Sequence, residues 1–388
     1  MLCFAALALG LGACSSSTSS STSSSSTSSS KASTFTVGVD EWTQIPSAFE
    51  WYADGLKVGV DQINASGGVN GHKINLIVKD DATASTSTVI SYWDEFQAAH
   101  ADAVVYLDIA GEPSLIALAK RNQTPVLLGL VGDHDVISPT TPYVYDTTPD
   151  FQQVIEAEAY FAVHHGFKRL GVMEQQQWAG SETALATAYV KKHFGANIVT
   201  YQYSPPTATD QTAQLQALKK DGVQAILSYE SPSGTLLEAQ EEKTAVYNVP
   251  IFDNQCSTDT HSSLNKLGVT TTCATFVKAN SSLQAYQSEI AAAQRFGFVS
   301  IAKDDAGAFV NGYLAADVLA QAAKNCGASC TSAQFNSALQ SISNFSTGGL
   351  TNPISFSASQ HNMLSTVYPW TLQSDGTQTT GAGIVVTP

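Results

Sequence analysis

The sequence predicts an α/β protein built as two doubly wound parallel-sheet lobes, and three observations predict it. Short apolar runs rich in β-branched residues alternate with helical stretches of about 10–15 residues along most of the chain. The alternation comes in two successive blocks, with a natural joint near Tyr145–Pro149. A length of 388 residues exceeds one ordinary domain and suits two. Strands separated by helices are joined by crossovers rather than hairpins, so parallel sheets with helices on both faces are expected.

Residues 1–13 come first, as a signal peptide. Leu2–Leu11 is an apolar run too short to span a bilayer, and it ends in Leu11-Gly12-Ala13-Cys14. Small residues before a Cys resemble the lipobox of bacterial lipoproteins, which implies cleavage before Cys14 and lipidation of its thiol. The alternative is an ordinary signal peptide with an incidental Cys. No Lys or Arg precedes the run, as a start codon upstream of Met1 would leave it. Residues 14–32 then form a tether: Ser15–Ser30 contains only Ser and Thr, without apolar surface to offset its conformational entropy. Such a segment spaces a folded body from a membrane or carries O-linked sugar.

The first block has β-rich runs at Phe35–Val39, Ile74–Val78, Ala103–Leu107 and Val126–Leu128. Between them, Leu56, Val60 and Ile63 mark one face of a helix over Trp51–Ala65, stopped by Gly67-Gly68, and Ser114–Arg121 reads as another helix. The second block has strands at Leu170–Met173, Ile198–Tyr203, Ala225–Tyr229 and Ile251–Phe252. Its helices are Phe151–His164, Glu182–Phe194, Gln211–Lys220 and Thr235–Tyr247. A long helix at Ala306–Ala323 follows, and from Leu350 the chain reads as short strands and turns.

With Cys3 lost with the signal peptide and Cys14 lipidated, Cys256, Cys273, Cys326 and Cys330 remain. An even count in an exported chain predicts two disulfides, most simply Cys256–Cys273 and Cys326–Cys330. The first closes a loop worth about 3 kcal/mol in the chain-entropy model. Zinc is disfavoured by the unlike spacing of the two pairs. A formal charge of −15 excludes a phosphate-binding surface, so no nucleic-acid partner is expected. Only 13% of residues are charged, against about 25% usually, with Ser, Thr, Gln and Asn taking polar positions instead.

The first lobe carries a recognisable pattern. Gly55 lies in the first helix, and Asp61-Gln62-Ile63-Asn64-Ala65-Ser66-Gly67-Gly68-Val69-Asn70-Gly71 ends it. A strand from Ile74 then runs into Asp80-Asp81-Ala82. In combination these resemble the type I periplasmic binding proteins, and within them the leucine/isoleucine/valine-binding branch of ABC-transporter solute receptors. Weaker likeness continues through Gln175–Gly180 and Ile354–Ser357. The resemblance implies a three-segment hinge, with lobe 1 at 33–146 and 276–365 and lobe 2 at 147–275 and 366–388. It also implies a solute-binding cleft that closes between the lobes.

Ligands in such sheets sit beyond the carboxyl ends of the strands. The resemblance places a Ser-rich carboxylate-binding loop at Asp108–Ser114, where this chain has Ala110, Gly111 and Ser114; the alternative is a Pro-started helix with Glu112 in its first turn. Gly132, Asp133 and His134 match a second contact loop. Trp178 falls where the family covers the ligand with an aromatic ring, or else it packs under the following helix. Trp42, Phe49 and Trp51 surround the first strand–helix loop, with Trp51 equally suited to the helix core. Tyr229, Glu230 and Ser231 match the next contact. Where amino-acid binders of this branch carry a carboxylate for the ligand ammonium, this chain has Gln255, with Asp253 nearby. Either Asp253 or Glu230 supplies the charge, or the solute is not an α-amino acid.

Together these readings predict an extracytoplasmic lipoprotein, anchored to the cell membrane, that captures a small polar solute for an ABC permease. A monomer is expected, without metal or cofactor. A sensory receptor of the same fold is the alternative. An enzyme is disfavoured, because the chain lacks Gly-x-Ser-x-Gly, His-Glu-x-x-His, Walker and Gly-x-Gly-x-x-Gly motifs in the required context.

Overall fold

The structure, a computed structural model, describes residues 34–42, 48–82, 85–108, 111–130, 140–176, 182–205, 207–300, 306–327 and 330–386. The first sheet comprises β1 (Phe35–Glu41), β2 (Ile74–Asp80), β3 (Ala103–Leu107), β4 (Val126–Leu128) and β5 (Val144–Asp146). Its order is β2-β1-β3-β4-β5, parallel throughout, with Val37 opposite both Leu76 and Ala103. Helices α1 (Ala48–Ala65), α2 (Thr86–Ala98) and α3 (Glu112–Asn122) cover it. Side-chain alternation explains the two covers. Val37, Val39, Val105 and Leu107 join Tyr52, Leu56 and Val60 of α1 in one core. Val104, Tyr106, Val126 and Leu128 join Val89, Trp93 and Phe96 of α2 and Leu115 of α3 in another. A sheet buried on both faces reads as continuous apolar runs, as these strands do.

The residues that carry the family resemblance have structural reasons to be there. Asn64 bonds both backbone groups of Ile74, donating to its carbonyl at 2.8 Å and accepting its N–H at 2.9 Å, which locks the end of α1 to the start of β2. The intervening turn places Gly67, Gly68, Asn70 and Gly71 at positive φ. Gly55 lets α1 meet the long helix α10 (Ala306–Cys326) at backbone distance. A methyl group there would collide with the Phe309 carbonyl, and one at Gly312 with the Tyr52 carbonyl.

The second, eight-stranded sheet contains β6 (Arg169–Gln175), β7 (Asn197–Ser204), β8 (Ala225–Tyr229), β9 (Ile251–Asp253), β10 (Thr271–Thr275), β11 (Thr366–Leu372), β12 (Gln378–Thr380) and β13 (Ile384–Val385). Its path is β12-β11-β10-β9-β8-β6-β7, with β13 beside β11. Helices α4 (Phe151–His164), α5 (Glu182–Phe194), α6 (Thr212–Lys220), α7 (Pro232–Ala245) and α8 (Thr258–Leu267) pack on it. One edge departs from the parallel expectation: β11 runs antiparallel to β10 and β12. The tight turn before β12 leaves no room for the crossover that a parallel neighbour needs.

Three connections join the two sheets. The chain leaves β5 for α4, returns after β10 to α9 (Gln284–Phe296), which packs on α1, and leaves again for β11. Between α10 and that last departure lies α11 (Ser332–Gln340), packed against α10. The connections touch: the Met363 N–H donates to the Asp146 carbonyl at 2.7 Å, and Asp146 N–H to the His361 carbonyl at 3.0 Å. Both expected disulfides, Cys256–Cys273 and Cys326–Cys330, are formed. Among the described residues no helix is long and apolar enough to cross a membrane.

Candidate functional site

At the carboxyl ends of the first sheet stand acids rather than bases. Asp40 near the end of β1, Asp81 just beyond β2 and Asp108 just beyond β3 are buried side by side. Burial, then the neighbouring charges of Asp108 and Asp81, pushes the Asp40 carboxyl up to about 8, and burial with Asp80 pushes Glu41 up to about 7. At the start of α3, Gly111 takes the N-cap position with φ 75°, and a Cβ there would meet the Thr86 backbone at 3.1 Å. A side chain at 111 is therefore strained and tightly packed. Ser114 is half-buried, and its N–H donates to the Gly111 carbonyl at 2.9 Å. Pro113 has no N–H and Glu112 adds negative charge, so this helix end offers an anion little. Trp51 sits half-buried in the first turns of α1, Trp42 packs against the core, and Phe49 is buried in it.

On the second sheet, β8 ends in Tyr229, Glu230 and Ser231, which the fold gathers with Gln175 of β6 and Ser204 of β7. Tyr229 is buried edge-on against Phe151, ring centroids 4.9 Å apart. Ser204 Oγ donates to Glu230 Oε1 at 2.5 Å. Burial raises the Glu230 carboxyl to about 7, while the Ser204 and Gln175 hydrogen bonds hold it down. Ser231 caps α7, accepting the Gly234 N–H at 3.2 Å, with Pro232 following in the first turn.

The β9 end divides the two candidates for the cleft residue, Asp253 and Gln255. Asp253 is fully buried and lies 3.2 Å from His261 Nε2 on α8. His261 Nδ1 meets Thr271 Oγ1 at 3.2 Å, and its ring stands edge-on to Trp370 at 4.8 Å. Ligand atoms of Asp253, His261 and Cys273 lie within 4.8 Å of one another. Cys273 is tied up in a disulfide, so no thiolate is available there for a metal. Gln255, by contrast, is half-buried in the loop beyond β9, held by the Cys256–Cys273 bridge at the next residue. Ala110, Gly132, Asp133, His134, Trp178 and Cys14 lie outside the described residues. A cavity of about 580 Å³ opens between α8, α9 and the β11–β12 turn, where Asp259, Ser262, Tyr286, Ile290 and Leu372 line it. No residue expected from the sequence lies in its wall.

Sequence reasoning missed His261, Gln175 and Ser204. Each owes its place to a partner on another element, so no local pattern marks it.

A family model described as periplasmic binding protein matches residues 43–377, most of the chain and most strands of both sheets. The chain belongs to the periplasmic binding protein family. A comparison with curated proteins finds no match. Solved structures of this fold align over most of this binding protein. A branched-chain amino acid ABC transporter protein from Thermus thermophilus with bound valine shares 14% identity over 92% of this chain and 97% of its own, with a TM-score of 0.79. A branched-chain amino acid transporter substrate-binding protein from Streptococcus pneumoniae in complex with isoleucine shares 17% over 92% and 100%, at 0.71. A solute-binding protein of an ABC transporter from R. palustris in complex with 4-hydroxybenzoate shares 16% over 92% and 98%, at 0.75. At these identities the shared feature is the fold.

Proposed function

We propose that this periplasmic binding protein is an extracytoplasmic lipoprotein that captures a small polar solute between its lobes and hands it to an ABC import permease. The observation that carries this reading is the pairing of a family match across both sheets with three adjacent connections between them. Three connections form a hinge, and a hinge lets the strand ends close on a solute and bury it. The lobes are taken as 33–146 with 276–365 and 147–275 with 366–388. Cys14 carries the lipid, residues 14–32 form the tether, and the protein acts as a monomer without a cofactor.

The site is proposed from Trp51, Ala110, Gly111, Ser114, Gly132, Asp133 and His134 on lobe 1, and Trp178, Tyr229, Glu230, Ser231 and Gln255 on lobe 2. Asp253 acts from behind, since its carboxylate is fully buried and lies 3.2 Å from His261 Nε2. Gln255 then faces the solute with an amide, which favours an amide, a neutral polar compound or an amino-acid relative over a plain α-amino acid. Valine, isoleucine and 4-hydroxybenzoate, bound by proteins of this fold, show the chemical range it holds.

The test is a thermal-shift screen of the full-length chain against amino acids, amides, urea, polyamines, aromatic acids and sugars. A solute that binds only the folded state at a hundred times its Kd stabilises it by about 2.7 kcal/mol. One chemical class is expected to raise the midpoint, and Trp178→Ala to abolish that rise while leaving the unliganded midpoint in place. Turnover of the bound compound would replace the import reading with an enzymatic one. A loss of unliganded stability with intact affinity would assign Trp178 to the core.

A further inference from the structure

Thirteen Asp and Glu side chains are buried among the described residues, and no Lys or Arg is. The second lobe holds the sharpest case. Glu158 on α4 is 0% exposed, and neither of its carboxyl oxygens has a hydrogen-bond partner. The elements around it bring no cation. Asp253 of β9 and Glu238 of α7 press it with like charge, and β8 contributes Tyr229. From β10 comes Ala274 and from β11 Val367, which pack with α4 and carry no charge. The basic residues of α5, Lys191, Lys192 and His193, are exposed.

Glu238 repeats the pattern on α7. Its Oε2 accepts from Ser228 Oγ at 2.7 Å, while Oε1 is buried without a partner. Glu242 stands one turn further on the same face, also with an unpartnered buried oxygen. Lys243 beside it is exposed, Lys219 of α6 donates to the Ala245 carbonyl at the end of α7 at 3.0 Å, Lys220 is exposed, and His261 of α8 lies 3.2 Å from Asp253.

We propose that this protein is built to hold its fold in an acidic medium, with Glu158 and Glu238 standing in the native state as neutral, protonated carboxyls. Ionised, they carry the cost of desolvation with acids for neighbours; protonated, they avoid both and gain a donor. Burial above all, then Asp253 for Glu158 and Glu242 for Glu238, holds both well above the usual carboxylate range, and burial takes Glu242 to about 8. A carboxyl raised in the folded state stabilises below its unfolded value, and that stabilisation is lost as pH rises through its folded value. For Glu242 the window runs from 4.5 to about 8. His361, depressed by burial, acts in the opposite sense, its stabilisation lost as pH falls. The sparse surface charge fits the same setting. With 18 Lys and Arg in 388 residues, protonation of the acids leaves only a modest positive charge to repel itself.

The test is a melting curve of the purified full-length chain from about pH 3.5 to pH 8. The Tm is expected several degrees higher near pH 4.5 than near pH 7.5. Glu158→Gln, which mimics the neutral acid, is expected to raise Tm by about 2 °C or more near pH 7.5 and to leave it in place near pH 4.5. Infrared spectra of the wild type near pH 6 should show a protonated carboxyl C=O band that Glu158→Gln weakens. A wild-type Tm that is flat or climbs towards neutrality overturns the proposal. So does a Glu158→Gln variant that loses the same Tm at both pH values, because Glu158 is then a packing residue. Glu238→Gln, read on the same scan, carries the test if the first variant does not fold.

Discussion

Around the first sheet, aliphatic and aromatic side chains fill both faces, and α1 meets α10 through glycines at backbone distance. The second sheet is packed between apolar residues too, but its helices also carry Glu158, Glu238 and Glu242 inward, and its loops are fastened by a disulfide and helix caps. In the first body the crossing of α1 and α10 is specified by shape, and Asp40, Asp81 and Asp108 are buried at the strand ends. The second body carries acids on the helices that cover its sheet. Shape tolerates no added volume where two backbones touch. Polar detail degrades in graded steps and responds to pH.

The largest expected effect follows from the close crossing in the first body. Gly55→Leu places a branched side chain where the Phe309 carbonyl already stands, so the two helices must separate and open the core that Tyr52, Leu56 and Leu314 share. A loss of about 4 kcal/mol or more, or failure to fold, is expected in urea denaturation. A variant within 1 kcal/mol of wild type would mean that the helices part easily, and the contrast between the bodies would collapse. The next effect belongs to the second body. Replacing Cys256 and Cys273 together by Ser removes a crosslink across 17 residues, with an expected loss of about 3 kcal/mol. If Gln255 is a contact, solute affinity should fall as well, because the loop that presents it loses its anchor.

The same contrast governs what was legible in the sequence. The strands and helices of the first body announce themselves by periodicity, and Ala103–Leu107 and Val126–Leu128 lie where the runs place them. Several helices were less readable: none was expected at α2, α8, α9 or α11. α2 opens with Thr86-Ser87-Thr88, residues that favour caps and turns, and only tertiary packing of Val89, Trp93 and Phe96 makes the segment helical. α7 begins at Pro232 rather than Thr235, although the Ser-Pro pair is a start signal in its own right. In the candidate site, the cysteine pairing was readable from count and spacing alone. Which way Asp253 turns was not, because His261 lies on a different element and only the folded chain brings the carboxylate to 3.2 Å from its ring.

Ser231 gives the smallest and most discriminating effect. Resemblance makes it a solute contact, while its Oγ serves as the N-cap acceptor for the Gly234 N–H at 3.2 Å and lies 3.1 Å from Ser233 Oγ. Ser231→Ala should cost about 1 kcal/mol of stability through the lost cap. Ser231→Asn, which keeps a capping oxygen, should restore most of it. Titration of the solute with both variants then separates the roles. If Ser231 only caps, both bind with wild-type affinity once folded. If its hydroxyl also reaches the solute, both bind more weakly although only Ser231→Ala is destabilised. The second outcome would make one side chain serve scaffold and site together, a position of double use that Gly55 and Gly312 do not provide.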